Sequence, residues 1–167
     1  MTEKHILMGN WAEALLCDAE ELQDAAEECR KAARNYIKDN QRQILQNILE
    51  EIFRQYPEWR EDYIYDLKDP DVQMPAVNQP EELLELVRPE KIQLLNVEKD
   101  KQVYYAVNFS CLWDEAYNLW SVMYKDRVVS LGETEETQLE WIAENDSSRK
   151  EFEEIKSQKK MACNIRF

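Results

Sequence analysis

Apolar residues recur every three or four positions through the first third of the chain. They recur every second position through its middle, and the change of period falls near Pro89. From Trp11 to Tyr56 there is neither glycine nor proline. Leu15, Leu22, Ala26, Cys29, Ala33, Tyr36 and Ile37 mark one helical face, and Ile44, Leu45, Ile48, Leu49, Ile52 and Phe53 continue it. The polar stretch Lys38-Asp39-Asn40-Gln41 predicts either a break into two helices or one bent helix. The spacing also admits a coiled coil, but Ala25, Ala26, Ala32 and Ala33 favour helices packed closely within one domain. The acidic run Asp18-Ala19-Glu20-Glu21 falls between apolar positions and reads as a solvated face.

Pro57, Pro70, Pro75 and Pro80 punctuate a connector, with Tyr63, Ile64, Tyr65 and Leu67 expected to anchor its first half onto the body. Pro80 starts a short helix, EELLELV, whose early glutamates suit the helix dipole, and Pro89 is expected to stop it. Beyond Pro89, IQLLNV reads as a strand and Glu98-Lys99-Asp100-Lys101 as a charged turn. In VYYAVNFSCLW, Val103, Tyr105, Val107, Phe109, Cys111 and Trp113 share one face. Tyr104, Ala106, Asn108 and Ser110 share the other, which predicts a half-buried strand. Asp114 to Asn118 is expected to connect it to LWSVMYK, and Lys125-Asp126-Arg127 to turn into VVSLG. Four short strands with short polar connections indicate an antiparallel meander. After Gly132 the pattern returns to helix, with a second amphipathic segment through Phe152 and Ile155 and a locally basic tail.

The expected fold is therefore α+β: an N-terminal helical layer packed on a four-stranded, mainly antiparallel sheet, with C-terminal helices. It is read as a single domain over 1–167, with a helical part at 1–66, a connector and short helix at 67–91, the meander at 92–132 and closing helices and tail at 133–167.

Composition narrows the function more than the fold. Gly9 and Gly132 are the only glycines, which excludes a glycine-rich phosphate cradle. The net charge of −14, from 35 acidic and 21 basic side chains, repels phosphate backbones, so no nucleic-acid partner is expected. The same charge favours rapid encounter with a basic protein. No apolar run is long enough for a membrane span, and MTEKHILMGN lacks a signal-peptide layout. Cys17, Cys29, Cys111 and Cys163 form no CxxC pair, and a cytoplasmic protein with reduced thiols is expected. His5, far from the cysteines, supports no zinc site, and no cofactor is expected.

Candidate chemistry centres on Trp113-Asp114-Glu115. Adjacent carboxylates on an extended chain point to opposite faces, so a paired-carboxylate mechanism is strained and a turn is favoured. A divalent cation at Asp114, Glu115 and the acidic segment Glu133, Glu135 and Glu136 is conceivable, although no EF-hand spacing is present. Cys111 has no histidine near it in sequence and reads as a core thiol. Trp113, Tyr117, Trp120 and Tyr124 can serve as core or as interface anchors. Trp113 aligns with the buried face, while at least one of Tyr117 and Trp120 is expected to be exposed.

The segment Pro89 to Gly132 resembles an uncharacterised bacterial domain family whose members read close to F-x-C-x-W-D-E-E-H-G-L-G-V, followed by a strand ending K-D-R-V-V-x-I-G. Phe109, Cys111, Trp113, Asp114, Glu115, Leu119, Lys125, Asp126, Arg127, Val128, Val129 and Gly132 match that pattern. Ala116, Tyr117, Asn118 and Trp120 replace its second Glu, its His and two Gly. Such domains are similar to immunity proteins of bacterial polymorphic toxin systems. The resemblance implies a non-enzymatic protein that neutralises a basic toxin domain by direct binding, and chemistry depending on the missing His does not carry over. The partner-binding residues expected on this reading are Asp114, Glu115, Tyr117, Trp120, Glu133, Glu135 and Glu136. The alternatives are a structural or regulatory module, dimeric through the N-terminal helices, and a metal-assisted hydrolase using Asp114, Glu115 and Glu133.

Overall fold

The computed structural model describes residues 11–12, 15–16 and 27–148. The basic tail, the helix expected through Phe152 and Ile155, and Cys17, Leu22 and Cys163 lie outside the described residues.

Two helices open the main body: α1 (Glu27–Asp39) and α2 (Gln41–Tyr63). The polar stretch between them does break the helix. Asn40 donates its backbone N–H and its side-chain amide to the Tyr36 carbonyl, at 3.0 and 2.9 Å. Cys29, Ala33 and Ile37 form the buried stripe of α1; Ile44, Leu45, Ile48, Leu49, Ile52 and Tyr56 form that of α2. Ahead of them, the helical residues Trp11 and Ala12 are tied to the break. The Trp11 indole donates to the Gln41 carbonyl (2.7 Å), and the Ala12 N–H to the Gln41 side chain (2.9 Å).

Pro57 does not begin the connector. It lies inside α2, which runs on to Tyr63. The proline costs one helical hydrogen bond, and packing on both sides of it, through Tyr56 and Trp59, keeps the helix going. Downstream, a one-turn helix (Pro70–Gln73) and a 3-10 helix (Pro80–Glu85) lead into the sheet. The expected EELLELV helix is thus shorter and tighter than its pattern predicts. Pro89 does not stop it, because the chain is already in strand from Val87.

Strands β1 (Val87–Lys99), β2 (Gln102–Cys111), β3 (Asp114–Tyr124) and β4 (Arg127–Glu133) form one antiparallel sheet in the order β1-β2-β3-β4. Pro89 is tolerated because β1 is an edge strand, and the register shifts immediately after it. The fold is α+β, as the change of period indicates.

One correction concerns the sheet's second face. Val103, Tyr105, Val107 and Phe109 of β2 face the helical layer as expected, together with Tyr117, Leu119 and Met123 of β3. Tyr104 and Ala106 on the opposite side are also fully buried, in a second core with Leu95, Trp120, Val122 and Tyr124. Leu139 and Ala143, from a helical stretch at 139–148, cover that face. The stretch is fastened by Asp146. Arg127 donates two hydrogen bonds to its carboxylate, at 3.1 and 2.7 Å, and the Tyr104 hydroxyl a third, at 2.8 Å.

Candidate functional site

The β2–β3 connection is two residues, Leu112 and Trp113, between the paired Cys111 and Asp114. This corrects the expectation that Asp114 to Asn118 forms the turn; those residues already belong to β3. Neither turn residue has positive φ, so the primed turn usual in two-residue hairpins is not used here. Trp113 is buried beneath α2, at 6.0 Å between ring centroids from Tyr56, 6.3 Å from Trp59 and 6.1 Å from Tyr117. Trp59 and Tyr63 complete the cluster by packing on Tyr117, at 6.1 and 5.9 Å. The Leu112 N–H donates to the Leu86 carbonyl at 2.8 Å, which holds the turn to the start of β1.

The two acidic neighbours of Trp113 go different ways. Asp114 is half-buried; one of its carboxylate oxygens accepts from the Tyr63 hydroxyl (3.2 Å) and the other from the Ala116 N–H (2.9 Å). Burial, reinforced by that hydrogen bond to Asp114, holds the Tyr63 hydroxyl well above its ordinary titration range. Glu115 is exposed and borders a shallow depression of about 350 Å³ with Arg88, Ser110 and Leu112. Cys111 is buried, and desolvation followed by the charge of Asp114 pushes its thiol up to about 12, which leaves it inert at neutral pH.

Tyr117 and Trp120 are buried on opposite faces of the sheet, 9% and 5% exposed, so the expectation that one of them stands open to solvent is corrected. Alternation along β3 decides this: once the strand begins at Asp114, position 117 faces the helices and position 120 the second core. Desolvation, then the charge of Glu133, raises the Tyr117 hydroxyl to about 12.

Glu133 and Glu135 are exposed and line a depression of about 380 Å³ with Asn118 and Gln138. The Thr134 N–H donates to the Asn118 carbonyl (3.0 Å), which closes the end of β4 onto β3. Glu136 is also exposed but paired with Lys91 at 3.0 Å. The structure thus brings Glu133 and Glu135 together at the end of β4, which pairs with β3 at Leu119, while Asp114 and Glu115 lie further along β3 and Glu136 is directed toward β1. Among the described residues, no group of three or more His, Cys, Asp or Glu is placed to hold a metal ion.

A feature that the sequence pattern conceals lies at the end of α2. Tyr56 donates to the Pro75 carbonyl and Arg60 to the Met74 carbonyl, both at 2.8 Å, while Met74 itself is fully buried. The connector is thereby strapped along the last turns of α2, and a groove of about 600 Å³ opens between them, lined by Pro57, Arg60, Ile64, Tyr65, Ala76 and Val77. Tyr65, expected to anchor the connector, is 95% exposed at its lip, and Ile64 is exposed as well. The Tyr-Ile-Tyr run carried no signal separating the ring that packs, Tyr63, from the one that does not. Among the described residues no helix is long and apolar enough to cross a membrane.

No curated protein and no solved structure matches the chain. A family model matches residues 2–139, which is most of the chain, and the protein belongs to the family described as a domain of unknown function, DUF6985.

Proposed function

We propose that this protein is a non-enzymatic binding protein for a basic protein partner, acting as an immunity protein that neutralises a cognate toxin by direct contact. The observation that carries the reading is the exposed carboxylate pair Glu133 and Glu135 lining one depression at the end of β4, with Glu115 exposed further along the neighbouring strand β3. The overall charge of −14 accelerates encounter with a cation-rich surface. The immunity role itself comes from the resemblance of the Phe109 to Gly132 segment. Tyr117 and Trp120, buried in the cores on opposite faces of the sheet, are not part of the exposed contact surface.

The alternative of a dimer through the N-terminal helices draws no support from their apolar stripes, which are spent inside the chain. The hydrolase alternative draws none from Asp114, Glu115 and Glu133, which do not converge as a ligand set.

Co-expression with the products of neighbouring genes, followed by size-exclusion chromatography, tests the proposal. A basic partner should co-elute at low salt, and the combined changes Glu115→Lys, Glu133→Lys and Glu135→Lys should weaken the complex at least tenfold. Absence of any co-eluting neighbour, or a complex indifferent to these changes, would remove the basis for the proposal.

A further inference from the structure

Resting on the reading above, we infer that the groove between the end of α2 and residues 74–77 is a docking site for a basic peptide segment of the partner carrying a central aliphatic side chain. Its walls are prebuilt: the hydrogen bonds from Tyr56 and Arg60 to consecutive carbonyls fix the connector, and buried Met74 anchors it from below. A groove that is formed before binding loses little conformational entropy when filled. Its mouth presents Ile64 and Tyr65, large side chains that folding leaves in water although a packed aromatic cluster begins one residue earlier at Tyr63.

Charge decides what the groove accepts. The stretch 58–71 carries six exposed carboxylates, on Glu58, Glu61, Asp62, Asp66, Asp69 and Asp71. None of them has an ion-pair partner among the described residues. The cations within that stretch are Arg60 and Lys68, and Arg60 already donates to the Met74 carbonyl. A slot of this size, with Glu61 in its lining and further unpaired carboxylates on the segment that forms one wall and runs on from it, fits a short aliphatic anchor flanked by Lys or Arg and disfavours an acidic or phosphorylated segment. The Tyr63–Asp114 hydrogen bond joins the end of α2, where the groove lies, to the start of β3.

The experiment measures fluorescence polarisation of a fluorescein-labelled peptide, Lys-Lys-Leu-Leu-Arg-Lys, against the full chain at 50 mM salt. Saturable binding is expected. It should weaken at least tenfold with Tyr65→Ala, with Glu61→Lys plus Asp62→Lys, and when serines replace the two leucines of the peptide. Glu133→Lys plus Glu135→Lys should change it less than twofold. All five altered positions are exposed, and circular dichroism confirms that the variants fold. Equal binding of the serine peptide, indifference to Tyr65→Ala, or no binding at all overturns the groove assignment. The co-elution experiment is scored separately: a partner lost only with the sheet-end variants would leave the binding proposal standing without the groove.

Discussion

Trp113 and Glu115 are two positions apart and belong to different parts of the molecule. Trp113 is closed in among Tyr56, Trp59 and Tyr117, so Trp113→Ala removes a ring from a packed cluster and should cost about 3–5 kcal/mol. Glu115 is exposed, and Glu115→Ala should stay within about 0.5 kcal/mol. Urea unfolding of both variants measures the contrast; similar losses would mean that Glu115 supports the turn. Asp146 allows a second test. Arg127, and after it the Tyr104 hydroxyl, hold its carboxyl below the ordinary value against an opposing desolvation effect. A folded-state pKa below the unfolded one stabilises above the unfolded value, and that contribution disappears as pH falls through the folded value. Asp146→Asn should therefore cost about 1–2 kcal/mol at pH 7 and at pH 5. The gap to the parent should close only below pH 3.8, the ordinary carboxyl value. A gap that closed already near pH 5 would contradict this origin.

The three hairpin turns show which elements local chemistry specifies. Asp100 and Lys101 both have positive φ (51° and 66°) between the paired Lys99 and Gln102, a type I′ turn made by residues that pay for the left-handed conformation. Replacing them with Asn-Gly should raise stability by about 1 kcal/mol, read as a higher urea midpoint with unchanged slope. An unchanged midpoint would show that the strain is relieved elsewhere. The charged character of this turn was legible from sequence, as were a break or bend within Lys38–Gln41, the α+β class and the buried side of β2. The Leu112-Trp113 turn was not, because it contains no Gly, Asn or Asp; polar Asp114 to Asn118 carried the only local turn signal. Misplacing that turn also left Tyr117 and Trp120 at an apparent loop, where alternation could not be applied to them. The second face of β2 was misread for a different reason. Tyr104 and Ala106 look like a solvent face until Leu139 and Ala143 cover them, more than thirty positions downstream. Pro57 illustrates the converse, a strong local breaker overridden by tertiary packing.

At the scale of the molecule, charge opposes compactness. A surplus of fourteen negative charges on 167 residues repels itself over distances that 0.1 M salt screens to about 10 Å. Adding 0.3 M sodium chloride should raise the thermal midpoint by about 2–4 °C, the shift corresponding to about 1 kcal/mol for a chain near this size. A fall would show that pairs such as Arg127–Asp146 and Lys91–Glu136 outweigh the long-range repulsion. The same surplus makes salt a sensitive control in the partner experiments, since attraction to a cationic surface should fade over the range that stabilises the fold.

The proline inside β1 has one more consequence. An open sheet presents two rims of backbone groups that another copy could extend, which is a hazard at high protein concentration. Here one rim lacks an N–H at Pro89 and is offset by two register shifts, and the other, β4, is only seven residues long. Neither offers a long straight template. Together with mutual repulsion between copies, this should keep the chain dispersed when it accumulates in excess, so that it can be stockpiled without seeding fibrils.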